Sequence, residues 1–407
     1  MKEFAAFILL LLAIIGSYSY SFISVDLATF LVFILVLGLL IYRDRKKVDF
    51  DKIVFMRRTK RGRNFIDCTA RKHPNFWKSM GSIGIVVGVV VLVLGSLFLV
   101  TQAASVATGA KEGGVRLLLP GPVSAPTSLP GVFVVPWWIW VIGVAVVIIP
   151  HEFFHGIMCR VDKVRIKSVG WLLLLIIPGA FVEPDERQLK KARRSTKLKV
   201  FAAGSFANII TAAITILILV ILIYPSFSPN GLLFTANDSS VFERNITGSL
   251  IAIDNINITS HDDLVRILSN HKPGDNVEVK FIENKNIAYR YFLPPITVNK
   301  DDSIKRNVRL LENPKNTSSV YLGISASSRT YAIPDMLPID IISLLIWIQI
   351  FSLGIGIVNM LPIKPLDGGL LFEELVGKRK HAGTIVKSVG AVMLIILLFN
   401  LIGPVFL

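Results

Sequence analysis

Residues Phe133–Met158 read FVVPWWIWVIGVAVVIIPHEFFHGIM, an apolar run that ends in two histidines and a glutamate. At about 1.5 Å per residue a helix of this length crosses a bilayer core of about 30 Å. Two imidazoles and a carboxylate inside hydrocarbon are costly, so such a cluster marks a functional site. On a helix, His151 and His155 lie one turn apart on the same face, the spacing that lets both reach one zinc ion. Glu152, beside them, is placed to take a proton from water at that ion. The stretch therefore points to zinc-dependent hydrolysis built into a spanning helix. The competing reading is a helix that ends earlier and leaves the motif in a cytoplasmic loop. Arg160 lies about 7 Å past His155 at helical rise, which puts the zinc shallowly within the inner leaflet, and Pro150 loosens the helix just before the motif.

Working outward, six further apolar runs suggest other spans: Phe4–Ile23, Leu27–Tyr42, Ser79–Thr101, Val200–Tyr224, Ile339–Leu361 and Ala382–Leu407. With 53% hydrophobic residues among 407, this composition is that of a polytopic α-helical membrane protein with about seven spans, not of a soluble enzyme. The first run lacks a small-residue cleavage site and is followed at once by another, so it reads as an uncleaved hairpin rather than a signal peptide. The formal charge of +16 invites a nucleic-acid reading, but its location opposes one. There are 13 Lys/Arg against 4 Asp/Glu between Arg43 and Lys78, and 11 against 4 between Cys159 and Lys199, which together account for the whole excess. Basic loops flanking spans mark the cytoplasmic side and attract anionic headgroups of the bilayer. The N-terminus is then inside, and Ala103–Gly131 and Pro225–Leu337 are outside. The four sequons, at Asn237, Asn245, Asn257 and Asn316, all fall in that last segment. Cys68 and Cys159, the only cysteines, both fall inside, so no disulfide framework is available.

Four regions follow: 1–132, with three spans and a basic loop; 133–224, with the histidine span, an inner loop and another span; 225–337, polar and strand-rich; and 338–407, the C-terminal spans. In the third, Ser249–Ile258 reads as strands turning at Asp254-Asn255, Ser260–Ser269 as a capped helix, Pro273-Gly274-Asp275 as a turn and Val277–Ile282 as a strand. This order resembles a PDZ domain of bacterial-type membrane proteases. Tyr321-Leu322-Gly323-Ile324 looks like the strand that receives a peptide terminus, or an ordinary closing strand. In the second region, the apolar stretch Val169–Val182 is too short to span and is interrupted by Gly170, Pro178 and Gly179. It is expected to dip into the inner leaflet and return beside the histidine helix, or to serve as an interfacial anchor.

Zinc needs a third protein ligand and a fourth position for water. An extended HExxHxxGxxH motif would require a histidine at 161, where Val161 stands. Glu183 and Glu186 are candidates by sequence distance. Asp367 is the better one: it lies in Asn359-Met-Leu-Pro362-Ile-Lys-Pro365-Leu366-Asp367-Gly368-Gly369, which closes the sixth span on the same inner side. Such a proline- and glycine-rich break frees backbone and turns a carboxylate toward a neighbouring helix. A plain helix-terminating turn is the other reading.

HEFFH in one span and Asn359-x-x-Pro362-x-x-x-Leu366-Asp367-Gly368 at the end of a later one resemble the site-2 protease family, intramembrane zinc metalloproteases that cut membrane-anchored substrates. Gly204-Ser-Phe-Ala-Asn208 is similar to that family's Gly-x-x-x-Asn element, and the order of parts over roughly 133–370 matches. The resemblance implies one Zn²⁺ held by His151, His155 and Asp367, Glu152 as general base, and Asn359 and Asn208 holding the backbone of a single-span membrane substrate. It implies a multi-pass protein of the cell membrane with the zinc on the cytoplasmic side and a PDZ-like domain outside. Phe154 departs from it, standing where many members have glycine. Two rivals remain: a non-catalytic scaffold capturing protein termini through the PDZ-like domain, and a transporter, which the lack of paired inverted halves disfavours.

Overall fold

The computed structural model describes residues 2–44, 49–51, 54–59, 61–109, 115–122, 128–129, 131–174, 177–236, 247–290, 292–298, 302–313 and 316–406. They form two compact units, Met1–Ile214 with Trp347–Leu407, and Thr215–Ile346. Among the described residues, six helical stretches are long and apolar enough to cross a membrane: Val25–Arg43, Pro74–Ala107, Trp137–Val161, Arg194–Ser226, Ile339–Asn359 and Ala382–Pro404. The expected seventh, at the N-terminus, has a shorter apolar helical stretch, Phe7–Ser19.

The first unit begins with the helices α1 (Lys2–Ser19) and α2 (Val25–Asp44), then the strands β1 (Asp49–Asp51) and β2 (Val54–Thr59). Next come the amphipathic helix α3 (Arg61–Lys72), the long α4 (Pro74–Ala107) and a small sheet of β3 (Leu117–Gly121), β4 (Ser128–Leu129) and β5 (Val132–Pro136). The histidine helix α5 (Trp137–Val161) follows Pro136 directly. It ends at Asp162-Lys163, where Lys163 takes a left-handed conformation with φ 66°. Ile66 and Ala70, one turn apart on α3, are both buried in the cluster that also holds Ile157, Met158 and Cys159 of α5. Asp67 on the same helix pairs with Arg160. The basic N-terminal segment thus braces the end of α5 that carries the motif.

The stretch expected to dip and return does reverse direction, but as a regular β-hairpin. Strands β6 (Ile166–Leu174) and β7 (Ile177–Pro184) pair antiparallel, with Val169 opposite Val182, and β6 is bordered on its other edge by β2, in the order β1-β2-β6-β7. The ladder satisfies the backbone groups that an irregular loop would leave open. A short α6 (Glu186–Lys191), capped by the Asp185 carboxylate, leads into α7 (Arg194–Ile218).

The second unit is a sheet-rich body of β8 (Ser228–Ala236), β9 (Thr247–Ile253), β10 (Ile256–Asn257), helix α8 (His261–Ser269), β11 (Asn276–Glu283), β12 (Ile287–Ala288), β13 (Ile296–Thr297), β14 (Ser303–Arg309), β15 (Leu311–Asn313), β16 (Asn316–Tyr321) and β17 (Ile324–Ala332). Its main sheet runs β12-β13-β17-β8-β9-β11-β14 around a core that includes Leu232, Phe234, Leu250, Ile253, Val279 and Phe281. Asp254 and Asn255, at φ 49° and 63°, form the expected two-residue turn between β9 and β10. Ser260 caps α8 by accepting from the Asp263 N–H, and Asp263 accepts from the Thr259 N–H in return. The sequons at Asn237 and Asn245 lie outside the described residues.

The chain returns to the first unit through α9 (Ile339–Asn359), the short α10 (Asp367–Val376) and α11 (Ala382–Phe406). Asp367 is the first residue of α10, which follows α9 after a seven-residue turn spanning 360–366.

Candidate metal centre

Each turn of α5 brings one group of the motif to the same face. His151 Nε2 and His155 Nε2 lie 3.2 Å apart, and Asp367 Oδ2 lies 3.3 Å from the first and 3.1 Å from the second. A tetrahedral ion with ligands at about 2.0–2.1 Å sets its ligand atoms about 3.3 Å apart, so this triangle fits zinc. Among the described residues, this is the one group of three or more His, Cys, Asp or Glu side chains close enough to share an ion.

The surroundings of the two rings also fit. The Nδ1–H of His155 donates to the Val200 carbonyl at 2.7 Å, which leaves Nε2 with its lone pair toward the triangle. Nδ1 of His151 faces the Asn208 amide at 3.1 Å. Asn208 is fully buried, and its Oδ1 has no hydrogen-bond partner. Rotating that amide hands the Nδ1–H of a ligating His151 to Oδ1, which orients the ring and satisfies the orphan atom together. Gly204, one turn before Asn208 on α7, leaves the space for the ion. A Cβ built there would fall on Nε2 of both His151 and His155. Gly204→Ala is accordingly expected to weaken zinc binding by about 10–100-fold, the range for disturbing the surroundings of a metal ligand. Competition with a chromogenic chelator measures this, and unchanged affinity would remove Gly204 from the site.

The other candidates separate clearly. Glu183 is engaged by Ser168 Oγ at 2.6 Å, Arg58 at 3.5 Å and Lys167 at 3.9 Å, and Glu186 pairs with Lys190 at 3.4 Å. Neither joins the triangle. Glu152 lines the same pocket as the triangle, and its Oε2 accepts the Val182 N–H of β7 at 3.0 Å. Asn359 lines that pocket too, with Nδ2 3.4 Å from His151 Nε2, whereas Asn208 sits behind the ring and is not part of the lining. Phe154 turns away from the metal position and packs edge-on against Trp77 and Phe206, with ring centroids at 5.6 and 6.4 Å. It does not crowd the ligands.

The positions of Val182 and Pro184 in the pocket wall escaped sequence reasoning, because a hairpin strand of this composition looks like any short apolar run. The sequence model of peptidase family M50 matches residues 139–400, a range that contains all three triangle residues. An uncharacterized protein of Methanocaldococcus jannaschii is similar as well, 25% identical over 367 residues that cover 86% of this chain and 87% of that protein.

Proposed function

Because the chain belongs to peptidase family M50, we propose that it is an intramembrane zinc metalloprotease that hydrolyses peptide bonds of membrane-anchored, single-span substrates near the inner leaflet. The observation that carries this reading is the meeting of His151, His155 and Asp367 in one pocket with Glu152. A bound zinc ion would supply Lewis acidity that polarises a scissile carbonyl and makes water a better nucleophile. Glu152 takes the proton from the attacking water and passes it to the leaving amine. Asn359 holds an amide N–H at the rim of the triangle, where it can donate to a substrate carbonyl oxygen. Asn208 acts one step back, as the group that orients His151.

The hairpin supplies the substrate's footing. On its outer edge β7 borders the pocket, and because the Val182 N–H points to Glu152 and not to β6, Ala180 presents its amide on that same edge. A substrate segment unwound from its helix would add there as a further strand, its scissile bond drawn out of its own hydrogen bonds. The basic segments 43–78 and 159–199 support a cytoplasmic placement of this site. We further propose that the second unit is an extracytoplasmic PDZ-like domain that selects substrates. The turn at Gly323, φ 73°, leads into β17, and His261 at the start of α8 bonds to the Ser327 carbonyl of that strand at 3.0 Å.

The test is cleavage of a single-span substrate by purified protein in phospholipid vesicles. Turnover is expected with zinc present, to be lost on chelation and to return on zinc addition. Full turnover from metal-stripped protein would refute the reading.

A further inference from the structure

The pocket does not end at the triangle. Cys159, one turn beyond His155 and about 6 Å further along α5, also lines it. With a volume of about 350 Å³, the pocket far exceeds the share of one water, about 30 Å³. Apolar walls dominate away from the triangle. Val182 of β7, Leu189 of α6, Phe201 of α7 and Leu370 of α10 line the pocket together with Cys159, which is itself buried, and among the described residues no lysine or arginine does. A charged side chain reaching past the triangle toward Leu189, Phe201 and Cys159 would lose its hydration among apolar walls, whereas an apolar one would exchange water for carbon and sulfur.

Resting on the protease reading above, we propose that this apolar arm is a specificity subsite. It receives the side chain of a residue flanking the scissile bond, with Cys159 as its floor, and selects Leu, Met or Phe over Ala, Asp or Lys. The one-turn distance from His155 to Cys159 matches the reach of a side chain of that length. Each methylene missing from the substrate costs about 10-fold or more in a pocket of this kind.

The test uses Cys68→Ser protein loaded with zinc in phosphatidylcholine vesicles, where Cys159 is the sole thiol. Methyl methanethiosulfonate labels it, in competition with saturating peptide hydroxamates that carry either leucine or glycine beside the zinc-binding group. Labelling is expected without ligand, and the leucine compound is expected to slow it by about 10-fold or more relative to the glycine compound. Equal protection by the two would overturn the proposal, as would a thiol that reacts only after unfolding. A second measurement narrows the arm from α6. Leu189→Trp is expected to retain zinc and to lower the preference for a leucine-containing over an alanine-containing substrate by about 10-fold or more. An equal loss on both substrates counts against the subsite. Leucine-selective protection without any cleavage would sink the protease reading and keep the subsite, and cleavage with neither selectivity nor protection would do the reverse.

Discussion

Glu152→Gln is expected to lower peptide cleavage by about 10³-fold or more while zinc stays at one ion per chain. The loss reflects proton transfer, worth about 10²–10⁴-fold for a positioned acid–base group. Glutamine is the informative replacement here because it keeps what Glu152 does structurally. The Glu152 Oε2 accepts the Val182 N–H, a bond that ties α5 to the strand edge where substrate would add. The Gln carbonyl oxygen can accept the same hydrogen bond, in a side chain of nearly equal size, and so the hairpin stays seated. Glu152→Ala would leave that N–H without its acceptor and is expected to raise KM in addition to lowering kcat. Single-turnover cleavage in vesicles, with zinc measured by atomic absorption on the same samples, separates these effects. A wild-type rate from the glutamine variant would exclude Glu152 as the base.

How much of this was legible in the sequence depends on how local the physics is. His151, Glu152 and His155 could be read directly, because helical spacing alone puts both rings on one face. The Asp254-Asn255 turn was equally plain, since few residues other than Gly, Asn and Asp enter the left-handed region at low cost. Asp367 needed topology and a family resemblance, because its partners lie more than 200 positions away. The hairpin was harder still. Nothing in Val169–Val182 reveals that its partner is Val54–Thr59, more than 100 residues earlier and set in a segment whose charge hides a strand. Asn208 shows a different gap. Its spacing from Gly204 puts both on one face of α7, yet only the folded chain shows that this face meets the imidazoles, with the glycine against Nε2 and the amide at Nδ1. The N-terminal run is a case where composition gave the type of element: it folds as the helix α1, and its apolar stretch among the described residues is Phe7–Ser19.

Asp367→Ala tests the third corner of the triangle, and zinc affinity is expected to fall by about 10²-fold or more, with cleavage lost at ordinary zinc concentrations. Apparent binding energies of about 10–16 kcal/mol for four-ligand zinc sites put one ligand at about 3 kcal/mol. The real loss should be larger, because Asp367 is also the one anion in the triangle and would offset half of a zinc ion's charge. The substitution removes a ligand and not a helix. Arg194 at the start of α7 donates to the Glu374 and Leu375 carbonyls at 2.9 Å each, and Lys197 pairs with Glu374 at 2.8 Å. These contacts hold the far end of α10 whatever residue stands at its first position. At the near end, Gly368 and Gly369 pack so closely on the Met360–Lys364 backbone that a Cβ at either would collide with it, and alanine at 367 leaves both glycines in place. Thermal unfolding of the metal-free protein should therefore be little changed, while the stabilisation that added zinc gives the wild type should largely vanish. Asp367→Asn sharpens the comparison, since it keeps an oxygen near the triangle and removes only the charge, and it is expected to bind zinc between the other two. Wild-type zinc affinity in the alanine variant would mean that the carboxylate at 367 is not a ligand, and the convergence of α5 and α10 would then need another explanation.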